Sequence, residues 1–126
     1  MIQAYSTDIT VASGAAIPFN STTITKGCTA THPSSDTFNL NKCGVYMISV
    51  DASTAAEATI QLYKDGVAMP QAQSTGDSAQ SFVTLVQSDK NNSCCPCASP
   101  AMIQVRNDSA AEVDFTNVNI VITKVV

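Results

Sequence analysis

Charged side chains are scarce in this 126-residue chain. They make up 13% of it, and Lys and Arg together number six. The net charge is −4, so no basic stripe is available to contact nucleic-acid phosphates. The acidic residues are scattered, which argues against an acidic interaction tail. With 44% hydrophobic residues the chain is also unlike a disordered segment. These proportions exclude a nucleic-acid-binding protein and favour a packed core.

Long apolar runs are missing as well. The longest are a few residues, against the roughly 20 needed to span a bilayer, so we expect no membrane contact. The first residues, MIQAYSTDITVAS, have neither the basic nor the apolar region of an export signal. We therefore expect synthesis in a cytoplasm, and we interpret the Asn-x-Ser/Thr sequences at Asn20, Asn91 and Asn107 as turns rather than glycosylation sites.

Residues for catalysis are few. The single histidine, His32, lies in THPSSD, where Ser34 or Ser35 and Asp36 could formally complete a triad. Residues this close in a loop rarely reach the geometry that orients a base toward a nucleophile, and no nucleophile-elbow motif or phosphate loop is present. We expect a solvated loop histidine and no enzymatic activity.

Three acidic residues, Asp108, Glu112 and Asp114, lie near one another late in the chain. A calcium site is one interpretation, but a calcium loop normally offers more oxygen ligands at closer spacing. We interpret these residues as surface charge, and we expect no metal ion, catalytic residue or cofactor in this protein.

Short alternating segments are what the sequence does contain, and no long stretch has the period of an amphipathic helix. In ATIQLYKDG, Ile60 and Leu62 alternate with polar residues, and Asp65 and Gly66 then signal a tight turn before VAMPQAQ. The final segment has Val113 and Phe115 in phase, and its phase then slips. A β-bulge at residue 116 or 117 explains this slip.

Two predicted strands are apolar on both faces, which indicates burial on both sides. One follows a turn at residues 42–44 and the other is SFVTLVQS. Met47, Val83 and Leu85 lie opposite the core-facing residues and would form an exposed patch if nothing covered them. The core-facing residues of these two strands are Tyr46, Ile48, Val50, Phe82 and Val86.

The pattern as a whole predicts an all-β protein with about eight short strands, arranged as an antiparallel sandwich or barrel. We expect one domain over residues 1–126, in which residues 1–14 form an N-terminal arm or the first strand.

Five segments carry a family resemblance: AIPFN, CGVYMISVDAS, IQLYKDGV, SFVTLVQ and VNIVITKV. From about Ala15 onward the chain resembles the trimeric jelly rolls of the complement and tumour-necrosis-factor class. It is most similar to their bacterial and phage branch, which includes the tip domains of spore-surface glycoproteins and small phage capsid-associated proteins. The resemblance implies an antiparallel two-sheet jelly-roll sandwich of about eight to ten strands. It also implies that three copies pack around an axis along their apolar strand faces.

The segment SCCPCASP holds three of the five cysteines, Cys94, Cys95 and Cys97. Cys94-x-x-Cys97 matches half of a zinc site without a second half, and it lacks the βαβ context of a redox motif. The resemblance places this loop at the same end of the sandwich as Cys43. Three alternatives remain for these cysteines. They form a disulfide between Cys43 and one of the three, they stay free thiols, or they bind zinc together with Cys43. We expect Cys28 to be unpaired and away from this end.

The resemblance implies a protein that works outside cells, although the sequence shows no export signal. A virion released by lysis or a spore coat would reconcile the two, and five glycines leave no collagen-like stalk within these residues. We therefore expect a structural, phage capsid-associated homotrimer that decorates the head or forms a short head fibre. It would be made in the bacterial host cytoplasm and located in the virion.

The expected partners are further copies of the chain, a major capsid protein and a host-surface glycan. The alternative is a trimeric receptor- or carbohydrate-binding module on a virion, spore or cell surface. Such a module normally shows clustered exposed aromatic residues, and this chain has three Tyr, four Phe and no Trp.

Overall fold

The computed structural model describes residues 1–88 and 100–126, so Cys94, Cys95 and Cys97 lie outside the described residues. The described part is built from strands, and it contains no helix long and apolar enough to cross a membrane. The strands are β1 (Ile2–Val11), β2 (Ser21–Thr25), β3 (Ala30–Ser34), β4 (Thr37–Leu40), β5 (Val45–Thr54), β6 (Ala58–Lys64), β7 (Val67–Gly76), β8 (Ala79–Gln87), β9 (Ala101–Asn107) and β10 (Val113–Lys124).

Two five-stranded antiparallel sheets form the sandwich. The first sheet has the strand order β2-β1-β10-β5-β8, and the second has the order β3-β4-β9-β6-β7. From β4 onward the chain crosses between the sheets at every connection except the β6–β7 hairpin. This arrangement confirms the predicted all-β jelly-roll sandwich, and its ten strands lie at the upper end of the predicted number.

The β6–β7 hairpin forms where Asp65 and Gly66 were predicted to turn the chain. Lys64 pairs with Val67, which leaves a loop of two residues. Both loop residues have positive φ, 52° at Asp65 and 81° at Gly66. Two-residue hairpin loops of this kind match the right-handed twist of the strands, and Asp-Gly tolerates the required conformation.

The predicted phase slip in the last strand is confirmed. The register of β10 against β5 shifts between Phe115 and Asn117, which places the bulge at Thr116. A second irregularity faces it in β1, where Asp8 has a φ of 52°. Both strands change their buried parity at this level, so β1 and β10 stay in register with each other.

The core lies between the two sheets and is mainly apolar, although polar side chains such as Gln80, Thr84 and Asn107 are also buried. Phe19 and Phe38 pack edge to face with ring centroids 5.5 Å apart. Because alternate residues of each strand point inward, a strand contributes to this core with one apolar face, and its other face can be polar. Its largest buried side chains are Tyr46, Phe19, Phe38, Phe115, Ile2, Ile17, Leu40, Ile48, Ile60, Leu62, Ile103 and Ile120.

Candidate functional site

The outer face of the first sheet is the main candidate site, and strand register defines which residues share it. Residues paired directly across strands lie on the same face of a sheet. One continuous row crosses all five strands: Ile24, Gln3, Val121, Ser49 and Val83. The next row toward the chain termini contains Thr123, Met47 and Leu85.

Apolar side chains concentrate in these two rows. Val83 is 64% exposed and Leu85 is 60% exposed, although both lie in the middle of a long strand. Met47 and Ile24 are also exposed. With half-buried Val45 and Val121 they form a surface that we call the apolar band: Ile24, Val45, Met47, Val83, Leu85 and Val121.

The other half of the same face is polar. The row beside Val83 contains Tyr5, Asn119, Asp51 and Ser81. Its amides, hydroxyls and carboxylate can remain hydrated. The outer face is therefore divided into a polar half and an apolar half, and exposure of the apolar band to water is unfavourable. The prediction that Met47, Val83 and Leu85 point away from the core is correct.

The chain end and the residue 42–44 turn form a corner beside the apolar band. Gly44 has a φ of 140°, and a Cβ there would lie 2.3 Å from the Val126 carbonyl oxygen. At this point the Val45 amide donates to the Val126 oxygen, and the Val125 and Val126 amides donate to the Val45 oxygen. Glycine is required because the C-terminal backbone occupies the space of a side chain.

Tyr46 completes the same corner from inside the core. Its ring is fully buried, and its hydroxyl donates toward the carbonyl oxygens of Thr29 and Lys42, each at 3.0 Å. The Lys42 amide donates to the same hydroxyl at 3.2 Å. Burial raises the pKa of Tyr46, and the hydrogen bond with Lys42 partly offsets this. The Gly44-Val45-Tyr46 motif is thus explained by two roles. Gly44 leaves room for the C-terminal backbone, and Tyr46 bonds the β2–β3 and β4–β5 connections through Thr29 and Lys42.

Cys43 lies in this corner and is disulfide-bonded. Ser88 donates its amide to the Gly44 oxygen, and Ala101 pairs with Leu40. The residues flanking the 89–99 segment therefore lie beside Cys43, at the end of the sandwich that the resemblance implies. The three cysteines of that segment lie outside the described residues, so the identity of the partner remains a prediction.

Cys28 is free, as predicted, and it is exposed, but the prediction of its position was wrong. Asn41 donates its side-chain amide to the Cys28 oxygen at 3.3 Å and its backbone amide to the Thr29 oxygen. Cys28 therefore lies at the same end as Cys43. The cause is the pairing of Ala30 with Leu40, which brings the residues before β3 next to those after β4.

His32 was predicted to be a solvated loop residue, and this is wrong. It lies in β3, half-buried, with its ring stacked on Phe38 at 4.1 Å between centroids. Its ring nitrogens lie near the Thr22 hydroxyl and the Ser35 backbone oxygen. The Ser34 hydroxyl instead donates to Asp36. No Ser-His-Asp arrangement is formed by these residues.

Two of the three late acidic residues have separate hydrogen-bond partners. Asp114 accepts a hydrogen bond from the Thr10 hydroxyl at 2.7 Å, while Asp108 accepts from Tyr63. Asp108 and Glu112 line an open groove of about 360 Å³ with Glu57 and several alanines. Among the residues that the structure describes, no group of three or more His, Cys, Asp or Glu side chains is placed to hold a metal ion.

A polar cluster on the outer face of the second sheet was not predicted. The Arg106 guanidinium carbon lies 4.2 Å from the centroid of the Tyr63 ring. Tyr63 donates its hydroxyl to Asp108, with oxygen distances of 2.9 and 3.0 Å. Burial and then Asp108 raise the pKa of Tyr63, whereas the charge of Arg106 opposes this. Alternation in β6 and β9 places these residues outward, but only cross-strand register brings them together.

Comparison with known proteins identifies the class first. The two-sheet topology is that of the complement and tumour-necrosis-factor-like jelly rolls, which confirms the resemblance read from the sequence. The model of the BclA C-terminal domain matches residues 3–125, so the chain belongs to that family. No match was found among curated protein sequences.

Solved structures from diverse sources share the fold. PRD1 vertex protein P5 is 14% identical with a TM-score of 0.68, over 99% of this chain and 96% of that protein. The globular domain of zebrafish complement 1qA protein is 10% identical with a TM-score of 0.67, over 95% and 94% of the two chains. Eiger TNF from S. frugiperda is 11% identical with a TM-score of 0.67, over 99% and 92%.

Proposed function

We propose that this protein is a non-enzymatic structural component of a particle surface, and that it assembles as a homotrimer through the apolar band. The observation that supports this most strongly is the exposure of Val83 and Leu85, at 64% and 60%. A sandwich needs only one apolar face per sheet to fold, so a second apolar face implies a second partner.

Further copies of the chain are the occupants that suit this band. The band reaches from Ile24 on edge strand β2 to Val83 on edge strand β8. Each copy therefore presents apolar groups near two different edges of one sheet. A closed ring uses two different surfaces per copy, whereas a two-fold dimer uses one surface twice. This arrangement favours the trimer implied by the family resemblance.

The site of action that we propose is a phage particle, where the trimer decorates the head or forms a short head fibre on a major capsid protein. Similarity to PRD1 vertex protein P5 supports a virion surface. Membership of the BclA C-terminal domain family supports a spore surface as the alternative. A fold shared with both is compatible with either particle.

Charge substitution in the band tests the assembly. We expect Val83→Asp or Leu85→Asp to dissociate the trimer, because a charge buried without a partner costs several kcal/mol. Gln73→Asp is the matched control, since it adds the same charge to an exposed position of β7 in the second sheet. Sedimentation velocity of the three variants measures the result. Retention of the full assembly in both band variants would show that the band is not the interface.

A further inference from the structure

The polar cluster on the outer face of the second sheet extends over three neighbouring strands. Gln104 donates its side-chain amide to the Thr37 hydroxyl at 3.1 Å. The side-chain oxygen of Gln104, Oε1, accepts hydrogen bonds from Arg106, at 3.4 Å from Nε and 3.1 Å from Nη2. Arg106 in turn lies over Tyr63, whose hydroxyl donates to Asp108. All five side chains are half-buried, so their conformations are set by their neighbours.

Arg106 is held without an opposite charge. Within residues 1–88 and 100–126, the acceptor that it contacts is the neutral Gln104 carbonyl, and no carboxylate lies at ion-pair distance. Arginine carries five N–H donors in a fixed plane, and Gln104 takes those on the Nε edge. The Nη1 edge is left with donors that have no acceptor in the described part of the protein. A fixed guanidinium edge of this kind matches the two oxygens of a carboxylate.

A simple inorganic anion suits the cluster poorly, because Asp108 on the same face repels it and receives no hydrogen-bond donor from it in return. The two Asp108 oxygens each accept from the Tyr63 hydroxyl and keep further lone pairs for other donors. A ligand that fits therefore combines an anionic group with hydroxyl donors. Acidic sugars have this combination.

We propose that Arg106, Tyr63, Asp108 and Gln104 form a binding site for an acidic saccharide. The sugar carboxylate binds the free edge of Arg106, and ring hydroxyls donate to Asp108. Gln104 and Tyr63 orient these two groups. The site goes beyond the proposed structural role and does not depend on it. It lies on the sheet opposite the apolar band, so a trimer would present three outward-facing copies and gain avidity on a glycan-coated surface.

The Tyr63 hydroxyl donates to Asp108, which keeps the carboxylate oriented as an acceptor. The alternative is that the cluster only braces β4, β9 and β6 against one another. In that case substitutions in the cluster would change the stability of the protein, and neither the wild-type protein nor the variants would bind the saccharide.

The test is an NMR titration of the intact protein with 3′-sialyllactose, with lactose as the neutral probe. We expect shifts confined to residues of β6 and β9 with the sialylated sugar and none with lactose. Arg106→Gln should weaken binding by about tenfold or more, as expected for loss of a charge-assisted contact. Lys26→Gln removes the same charge from an exposed loop and should leave the affinity unchanged.

Three results would overturn the proposal: no shifts with sialyllactose at tens of millimolar, equal binding of lactose, or full binding by folded Arg106→Gln. Tyr63→Phe provides a second variant if Arg106→Gln is unfolded. It keeps the ring under Arg106, removes the donor to Asp108, and should weaken binding of the sialylated sugar. Light scattering on the same samples gives the mass of the assembly independently of the sugar-induced shifts. Failure of the saccharide site is therefore distinguishable from failure of the trimer.

Discussion

Substitution of Gly44 by Ala tests how the chain end is held in the corner beside the apolar band. The new Cβ would lie 2.3 Å from the Val126 oxygen and 2.8 Å from the Lys124 Cε atom. The lysine can move, but the backbone oxygen belongs to the segment that bonds Val45. We expect the segment at Val125 and Val126 to leave the corner.

The expected cost has two parts. A non-glycine residue in this backbone region is strained by roughly 1–3 kcal/mol, and loss of the hydrogen bonds between Val45 and the chain end adds about 1 kcal/mol. Gly44→Ala should therefore destabilise the protein by about 2–4 kcal/mol, a fall in melting temperature on the order of 10 °C for a chain of this size. Thermal unfolding at one fixed protein concentration measures this change, since assembly would make the transition concentration-dependent.

Gly27→Ala is the control for this prediction, because Gly27 also has a positive φ, 71°, but no atom lies within 4 Å of its would-be Cβ. The difference between the two variants combines the clash with Val126 and the greater backbone strain at a φ of 140°. A second comparison deletes Val125 and Val126, and in that background Gly44→Ala should cost less than in the full chain, because only the strain remains. Equal effects of the two alanine variants in the full chain would refute the explanation of the Gly-x-Tyr motif.

Three further predictions concern single residues. Because the folded-state pKa of Tyr46 is raised, the stability that its protonated hydroxyl contributes is present below about pH 10 and is lost as the pH rises through the folded value. Alkaline denaturation should be less steep in Tyr46→Phe, and an unchanged profile would contradict this. Non-reducing peptide mapping should find Cys43 linked to Cys94, Cys95 or Cys97, a loop worth about 3–4 kcal/mol. Reduction should lower the melting temperature without dissociating the trimer, whereas stoichiometric zinc would favour the metal site. His32→Ala should cost about 1 kcal/mol through its lost stacking on Phe38, and an effect within error would show that the contact is unimportant.

Sequence patterns predicted those strands that alternate between a buried and an open face. β6 was predicted because its apolar residues recur every second position, β5 and β8 because both of their faces carry apolar residues, and the bulge at Thr116 because the recurrence in β10 breaks once. β2 and β3 lack this signal. All five residues of β2 are exposed, so its place at the sheet edge depends on backbone pairing with β1 rather than on apolar periodicity.

Features that depend on register could not be predicted from the sequence. The positions of Cys28 and His32 follow from the pairing of β3 with β4, which no local pattern specifies. The contact of Arg106 with Tyr63 likewise depends on how β6 pairs with β9. The outward direction of Val83 and Leu85, by contrast, was predicted correctly. Successive residues of a strand point to opposite faces, so the sequence alone shows that both faces of β8 carry apolar residues.

The mass of the wild-type protein in solution is the most direct test of the central claim that the apolar band is a contact between copies of this chain. Light scattering coupled to size exclusion, at micromolar protein concentration, should give three times the 13.1 kDa mass of one chain. A single species of 13.1 kDa under the same conditions would contradict the account, because Val83 and Leu85 would then face water in the native protein.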